Sequence, residues 1–386
     1  MTPLPYHRGV ADVLEREHPE SFRALAARSG HGRDDLEQAL LRSTYRLEAS
    51  SHPEVHAAVA RAADALGVAV PVEVYADEGQ QVPNAELVFV PDRAILLFSG
   101  PTLDLLDADE LCAVAAHELA HHLLWTTEDA RYLAAARLLD AAEADARTPS
   151  EYLETTRRYR LATELYADRA ALVATEVLTT AVSGLLKVAT GLRRVDPAAY
   201  LRQAAEVDLS SGSAGTTHPE TVLRAWALQQ WHEDPASADE RVEEAFAPSL
   251  DLNALDLPGQ DRLLALTRDL VTAAAALEGL SSPEVAELAE QYGVAPAGPT
   301  YARVPSSLLP QPLPAETRRY LATVLADLAT ADPESGPETL ARTLAFARRT
   351  GLGAEFVKLL GSELGLAERD RRRVGDRADA LLSGGE

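Results

Sequence analysis

The chain has 386 residues, of which 46% are hydrophobic and 25% are charged, so a disordered chain is excluded and two or three globular domains are expected. The formal net charge of −24 argues against nucleic acid and anionic lipid as partners, because both repel an acidic surface. The single cysteine, Cys112, leaves no intramolecular disulfide, which is typical of a reducing cytoplasm.

Alanine and leucine dominate and aromatic residues make up 5%, which favours a mainly helical fold with a small β-sheet. Apolar residues at three- and four-residue spacing predict helices over residues 15–27, 34–46, 52–67, 107–125, 128–146 and 150–180, and another after His218-Pro219. Short runs rich in valine, isoleucine, leucine and phenylalanine predict strands over residues 70–75, 85–90 and 93–98, the last two joined as a hairpin at Pro91-Asp92. Asp107 with Glu110 predicts a capping box at the start of a helix.

The sharpest motif is His117-Glu118-Leu119-Ala120-His121. Histidines four residues apart project from one side of a helix, so both imidazoles reach one zinc ion. Glu118 lies beside the open coordination position, where it accepts a proton from the attacking water and later delivers it to the leaving amine. The surrounding apolar residues predict a core helix, and buried ionisable groups need a partner or a metal.

A third ligand is needed to complete a catalytic zinc site. The downstream carboxylates that could serve are Glu128, Glu143, Glu151, Glu154 and Glu164. We select Glu164 because Asp168 follows it four residues later on the same helical face. Asp168 then accepts the free N–H of a ligand histidine and fixes its tautomer. The sequence therefore predicts one zinc ion per chain, held by His117, His121 and Glu164.

In order and content, these motifs resemble the zinc metallopeptidases that include HtpX and the CAAX prenyl proteases. The similarity covers roughly residues 52–232. It begins with Asn84-Ala85 and the hairpin, continues through the HELAH and Glu164–Asp168 segments, and ends with His218-Pro219 and Arg224. It implies an α+β zincin-like fold. It also implies that Asn84, His218 and Arg224 line the cleft, where they hold the substrate backbone and stabilise the tetrahedral oxyanion, with His218 as a catalytic residue.

This sequence departs from those membrane-embedded relatives because it contains no apolar run long enough to span a bilayer. Its N-terminus also lacks a signal-peptide pattern, so a cytoplasmic protein acting on proteins or peptides is expected. Oligomeric state is left open. Neighbouring His122 is expected to be a surface or packing residue, and Cys112 a small core residue.

Four parts are expected along the chain: an N-terminal helical extension over residues 1–50, the zinc metallopeptidase domain over 51–233, a helical segment with a proline-rich linker over 234–314, and a helical module over 315–386. The last part resembles TerB-like modules. Two alternatives to a peptidase stay open: a zinc-binding protein without turnover that acts through its helical surfaces, and a metal-free helical scaffold with a chance HELAH motif.

Overall fold

The structure is a computed structural model that describes residues 1–27, 38, 40–77, 79–207, 217–247, 250–294, 309 and 313–383, with only the backbone for residues 217–220. The chain divides into two compact units, Met1–Pro248 and Ser249–Glu386. Within the described residues the fold is mainly helical with one small sheet, which confirms the predicted fold class. The finer division into four parts stays a prediction.

The first unit holds the sheet and the motif-bearing helices. Its helices are α1 (Pro5–Glu17), α2 (Pro19–Ala27), α3 (Pro53–Leu66), α4 (Thr102–Leu105), α5 (Ala108–Thr126), α6 (Arg131–Glu143), α7 (Ser150–Thr175), α8 (Leu178–Thr190), α9 (Pro197–Glu206), α10 (Thr217–Glu233) and α11 (Ala238–Phe246). Its strands are β1 (Tyr45–Arg46), β2 (Val72–Asp77), β3 (Asn84–Val90) and β4 (Arg93–Ser99).

The sheet has the order β1-β2-β4-β3, so β3 forms one edge. Strand β2 runs parallel to β4, and β3 pairs antiparallel with β4 from Asn84 opposite Ser99 to Val90 opposite Arg93. The predicted hairpin at Pro91-Asp92 is therefore confirmed. The inner face of the sheet packs with α3 and α5 in one apolar core that contains Leu96, Phe98 and Leu119.

Two predicted helices are interrupted. The helix expected over residues 15–27 breaks at His18 because Pro19 lacks an amide hydrogen and disfavours helical geometry at the residue before it. The helix expected over residues 150–180 ends at Thr175, since Glu176 adopts the left-handed conformation at φ 58°. The structure adds α9, which the sequence analysis missed although Asp196 caps it and Pro197 starts it. Of the helix expected over residues 34–46, residues 34–37 and 39 lie outside the described residues, residues 38 and 40–43 are helical, and the end instead forms β1.

Helix α5 begins with the predicted capping box. The Asp107 carboxylate accepts from the backbone N–H groups of Asp109 and Glu110 at 3.0 and 2.9 Å, and Glu110 accepts from the Asp107 N–H at 2.8 Å. The same Glu110 carboxylate accepts from Ser183 Oγ and Lys187 Nζ of α8, both at 2.6 Å. These bonds fasten α8 against the first turn of α5.

Loss of the Lys187 ammonium is expected to destabilise the first unit. The side chains of Lys187 and Glu110 are 12% and 7% exposed, so Lys187→Met leaves a buried carboxylate with fewer donors. The free energy of unfolding should fall by about 3 kcal/mol. Tryptophan fluorescence during urea unfolding measures it, because all three tryptophans lie in the first unit. The exposed Lys358→Met is the control, and equal urea midpoints for the two variants would rule out a stabilising role for this ion pair.

The second unit is a helical bundle with its own core. It contains α12 (Leu257–Ala275), α13 (Pro283–Gln291), α14 (Ala315–Thr330), α15 (Pro337–Arg349), α16 (Gly353–Ser362) and α17 (Glu368–Ser383). Leu321, Leu325, Leu344 and Phe356 are fully buried in it. Its resemblance to TerB-like modules stays a prediction, and most of the proline-rich linker lies outside the described residues. Across the described parts of both units, no helix combines the length and apolarity that crossing a bilayer requires.

Candidate metal centre

Helices α5 and α7 pack side by side and bring the three predicted zinc ligands together. His117 and His121 project from one face of α5, with ring centroids 5.1 Å apart. His117 Nε2 lies 3.5 Å from Glu164 Oε2, and His121 Nε2 lies 3.7 Å from Glu164 Oε1. One ligand atom from each residue lies within 4.8 Å of the other two. Among the described residues, these three form a group that could hold a metal ion.

The donor set fits zinc in both chemistry and spacing. Ligand atoms about 2.1 Å from a tetrahedral zinc ion lie about 3.4 Å from one another, close to the two contacts of Glu164. Two imidazoles with one carboxylate favour zinc over magnesium or calcium, which prefer oxygen ligands alone. Three protein ligands leave the fourth position open, as catalytic sites require.

Asp168 lies behind His117, one helical turn after Glu164. Its Oδ1 is 3.0 Å from His117 Nδ1, and a carboxylate accepts only, so Nδ1 donates and Nε2 faces Glu164. Burial by itself would raise the pKa of Asp168, but Arg224 and the hydrogen bonds from Arg224 and His117 outweigh it and hold the pKa below its usual range. Asp168 is thus an ionised acceptor that fixes the ring of His117.

Arg224 of α10 joins both carboxylates of α7. Its Nε and one terminal nitrogen donate to Asp168 at 2.7 and 2.8 Å, and its other terminal nitrogen lies 3.1 Å from Glu164 Oε2. Burial would raise the pKa of Glu164, but Arg224 and then His117 hold it below its usual range. The guanidinium therefore keeps Glu164 ionised and oriented. The substrate or oxyanion binding that the resemblance implies for Arg224 stays a prediction.

Glu118 is buried and lies against β3, where the Leu87 backbone hydrogen-bonds to its carboxyl. Burial raises the pKa of its carboxyl to about 8, with smaller opposing effects from His117, from the Leu87 backbone hydrogen bond and from Arg224. A bound divalent cation adds positive charge nearby and lowers that pKa. Glu118 is thus a carboxyl poised near neutral pH, the range in which a general base works best.

A cleft of about 530 Å³ opens over these residues. Asn84 to Leu87 of β3 form one wall, with the Asn84 side chain exposed and its backbone N–H bonded to Thr102 Oγ at 2.9 Å. Ala181, Leu185 and Val188 of α8 form an apolar wall, and Arg224 also lines the space. His218 lies in the first turn of α10, but its side chain is outside the described part of the chain.

The structure places three further aromatic side chains at the site or behind it. Trp125 lines the cleft one turn after His121, and their rings lie 5.6 Å apart. His7 is fully buried, and its Nε2 lies 3.3 Å from Oγ1 of Thr163, next to Glu164. His122 Nε2 lies 3.1 Å from the Val90 carbonyl oxygen, within hydrogen-bonding distance. Of the two roles predicted for His122, surface or packing, the structure shows packing. No local motif marks His7, because only tertiary packing brings α1 against α7.

Zinc binding is expected to strengthen as pH rises. Burial lowers the pKa of His117, but hydrogen bonds to Asp168 and Glu164 outweigh it, so the metal-free protein holds that proton above the usual histidine range. A protonated imidazole cannot ligate zinc, so binding must release the proton, and release is hardest at low pH. Isothermal titration calorimetry at pH 6, 7 and 8, in buffers of different ionisation enthalpy, measures affinity and proton release. A pH-independent affinity with no proton release would contradict this assignment.

Comparisons with known proteins identify the family of the region that carries the site. The model of Peptidase family M48 matches residues 49–232. That range contains every residue of the site named in this section except His7. The protein named plastoglobule-localized metallopeptidase 48, chloroplastic, of Arabidopsis thaliana is 30% identical over 199 residues, which cover 46% of this chain and 56% of that protein. The chain thus spans about half the length of that relative. No solved structure matches the chain. Residues 49–232 therefore form a domain of peptidase family M48, which confirms the resemblance to the HtpX and prenyl protease group.

Proposed function

We propose that this protein hydrolyses peptide bonds in protein or peptide substrates with one zinc ion held by His117, His121 and Glu164. The observation that carries the proposal is the convergence of those three side chains from α5 and α7 beside an open cleft. Zinc, when bound, acts as a Lewis acid that polarises the scissile carbonyl and acidifies water. The residues of this chain supply the positioning and the proton transfer.

Glu118 is the proposed general base and acid. Its carboxylate takes a proton from the attacking water and then passes that proton to the amide nitrogen as the peptide bond breaks. Asp168 holds His117 in one tautomer, and Arg224 holds the carboxylates of Asp168 and Glu164 in place. His218 and Asn84 keep their proposed roles, His218 as oxyanion stabiliser and Asn84 as substrate-binding residue, on the basis of the resemblance.

The walls of the cleft favour an extended polypeptide as substrate. Strand β3 forms a sheet edge along the cleft, and an edge strand offers backbone donors and acceptors to an added strand. The apolar wall of Ala181, Leu185 and Val188 fits an uncharged side chain of the substrate. Cleavage within a chain suits such an open-sided edge, so we propose an endopeptidase. A zinc-binding protein without turnover would be favoured by a blocked cleft, and the open space beside Glu118 favours the peptidase.

The proposed compartment is the cytoplasm, on the argument from the single cysteine, which is buried. The name of the Arabidopsis relative places that protein in chloroplast plastoglobules. Fractionation of source cells with an antibody to the chain tests the compartment, and recovery in a membrane or lipid-body fraction would overturn it.

Purified protein should contain about one zinc ion per chain and should cut an unfolded protein such as casein. Chelation should abolish cleavage, and added zinc should restore it. Mass spectrometry of the products distinguishes internal from terminal cuts. Protein that carries full zinc yet cuts no member of a diverse peptide library would favour the non-catalytic alternative, and protein that binds no zinc would favour the metal-free one.

A further inference from the structure

One end of the cleft lies where α8 meets the start of β3. Residues Val188 and Ala189 of α8 line the cleft, and the helix ends immediately afterwards at Thr190. Gly191 then turns the chain in the left-handed conformation at φ 72°. A Cβ atom on Gly191 would lie 3.7 Å from the ring of Pro83, the residue before Asn84. The segment after α8 therefore borders the cleft mouth.

Four side chains exposed on these two adjoining segments form what we call the mouth patch: Val82, Leu192, Arg193 and Arg194. Leu192 is 57% exposed and Val82 is 69% exposed. Arg193 and Arg194 make no hydrogen bond or ion pair with any described residue. The next carboxylate along the chain, Asp196, is engaged in capping α9. The patch thus combines accessible apolar surface with two guanidinium groups that no described residue engages.

The charge of this patch is opposite to that of the chain as a whole. A protein with net charge −24 repels acidic ligands at long range, and its overall field favours basic substrates. Screening limits exposed charges to a range of about 8–10 Å at moderate salt, so the two arginines act locally at the mouth, against the exposed carboxylate of Glu86 on the β3 wall of the cleft. Another cleft-lining arginine, Arg160, is already bonded to Asp140 and Glu143.

We propose that the mouth patch is an extended subsite that binds acidic residues of the polypeptide substrate, next to apolar ones, outside the bond that is cut. This inference rests on the proposed peptidase function. An extended chain rises about 3.3 Å per residue, so the distance along β3 from Leu87, beside Glu118, to Asn84 corresponds to about 10 Å. Substrate residues roughly three to five positions from the scissile bond therefore reach the patch.

The test compares two peptides that share one cleavable core taken from a casein fragment and differ in flanking residues. One carries two Glu on each side, three to five positions from the cut, and the other carries two Lys. We expect wild-type kcat/KM to favour the Glu peptide by about fivefold at low salt, through KM, with a smaller ratio at high salt. Arg193→Glu/Arg194→Glu should reverse the preference while cleavage of a core with neutral flanks keeps its kcat.

The single variant Arg193→Glu is compared with Arg42→Glu, a control that reverses one charge elsewhere on the surface. Arg42 is exposed and precedes β1, at the sheet edge away from β3, so its reversal should leave the ratio unchanged. Fluorescence anisotropy of both peptides with the zinc-loaded Glu118→Gln protein measures the same preference without turnover. Equal binding of the two peptides there overturns the subsite, whatever the cleavage assay gives.

The outcomes separate the two proposals. Cleavage of both peptides at equal kcat/KM overturns the subsite and leaves the peptidase intact. No cleavage of any peptide, with preferential binding of the Glu peptide, supports the subsite as a binding surface and removes the peptidase. Sedimentation with vesicles containing 30% phosphatidylserine tests whether the patch binds an anionic lipid surface instead. Binding that depends on Arg193 and Arg194, without any peptide preference, would assign the patch to a lipid surface and overturn the proposal.

Discussion

Glu118→Gln is expected to retain zinc at the wild-type ratio and to lose peptide cleavage by about 10²–10⁴-fold. The substitution preserves the size of the side chain, and its amide oxygen still accepts the Leu87 N–H that Glu118 accepts. It removes the basicity that takes a proton from water. Because the substitution removes a proton-transfer group and leaves the walls of the cleft unchanged, the loss should appear in kcat.

The control for this variant is Glu86→Gln. Glu86 lines the same cleft from β3 but is exposed, so removing its charge alters the field of the cleft without removing the base. Zinc content and single-turnover cleavage are measured for both proteins. Wild-type cleavage by Glu118→Gln would show that another group moves the proton, and similar losses in both variants would indicate an effect of charge alone.

Glu164→Ala is expected to lose most of its bound zinc and, with it, detectable cleavage. Partners that only orient a metal ligand typically contribute 10–100-fold in affinity, so removing a ligand should cost more than about 100-fold. The change also leaves Arg224 paired with Asp168 alone. Binding is measured by competition with a chromophoric chelator. Glu151→Ala, in the first turn of the same helix and outside the cleft, is the control and should bind zinc normally.

A second variant keeps this test independent of folding. Glu164→Gln retains the shape of the side chain and one ligand oxygen but loses the negative charge that faces His117, His121 and Arg224. It should fold with an unchanged circular dichroism spectrum and bind zinc more weakly than wild type. Full zinc retention in both Glu164 variants would remove Glu164 from the ligand set, and one of the other downstream carboxylates would then need to be tested.

The electrostatics of the site come from a chain of paired charges. Arg224 is half-buried between two carboxylates, and its pKa is raised because their attraction outweighs the desolvation that would lower it. Arg224 holds the Asp168 carboxylate in place, and Asp168 in turn orients His117 through one hydrogen bond. A half-buried cation left without either carboxylate would be costly, and Asp168 still pairs with Arg224 when Glu164 alone is replaced.

Short-range patterns in the sequence determined much of the fold and of the site. The hairpin follows from two β-rich runs joined at Pro91-Asp92, and α5 begins where Asp107 and Glu110 form their capping box. The His117–His121 and Glu164–Asp168 spacings place each pair on one face of a helix, because helical geometry depends only on residues a few positions apart. Mistakes occurred where a break preserved the apolar pattern, as at Glu176, or where a proline stood inside an apolar repeat, as at Pro19.

Tertiary structure alone decided how these local units meet. His117 and Asp168 are 51 positions apart in the sequence and are brought together by the packing of α5 against α7, and no local pattern encodes that contact. Packing of α10 brings Arg224 to the two carboxylates, packing of α1 buries His7 behind Glu164, and the end of α8 comes to lie against Pro83. Such contacts depend on the sum of many weak apolar interactions across the whole core. For this reason the sequence identified most of the chemical groups of the site, and the folded chain determined their distances and partners.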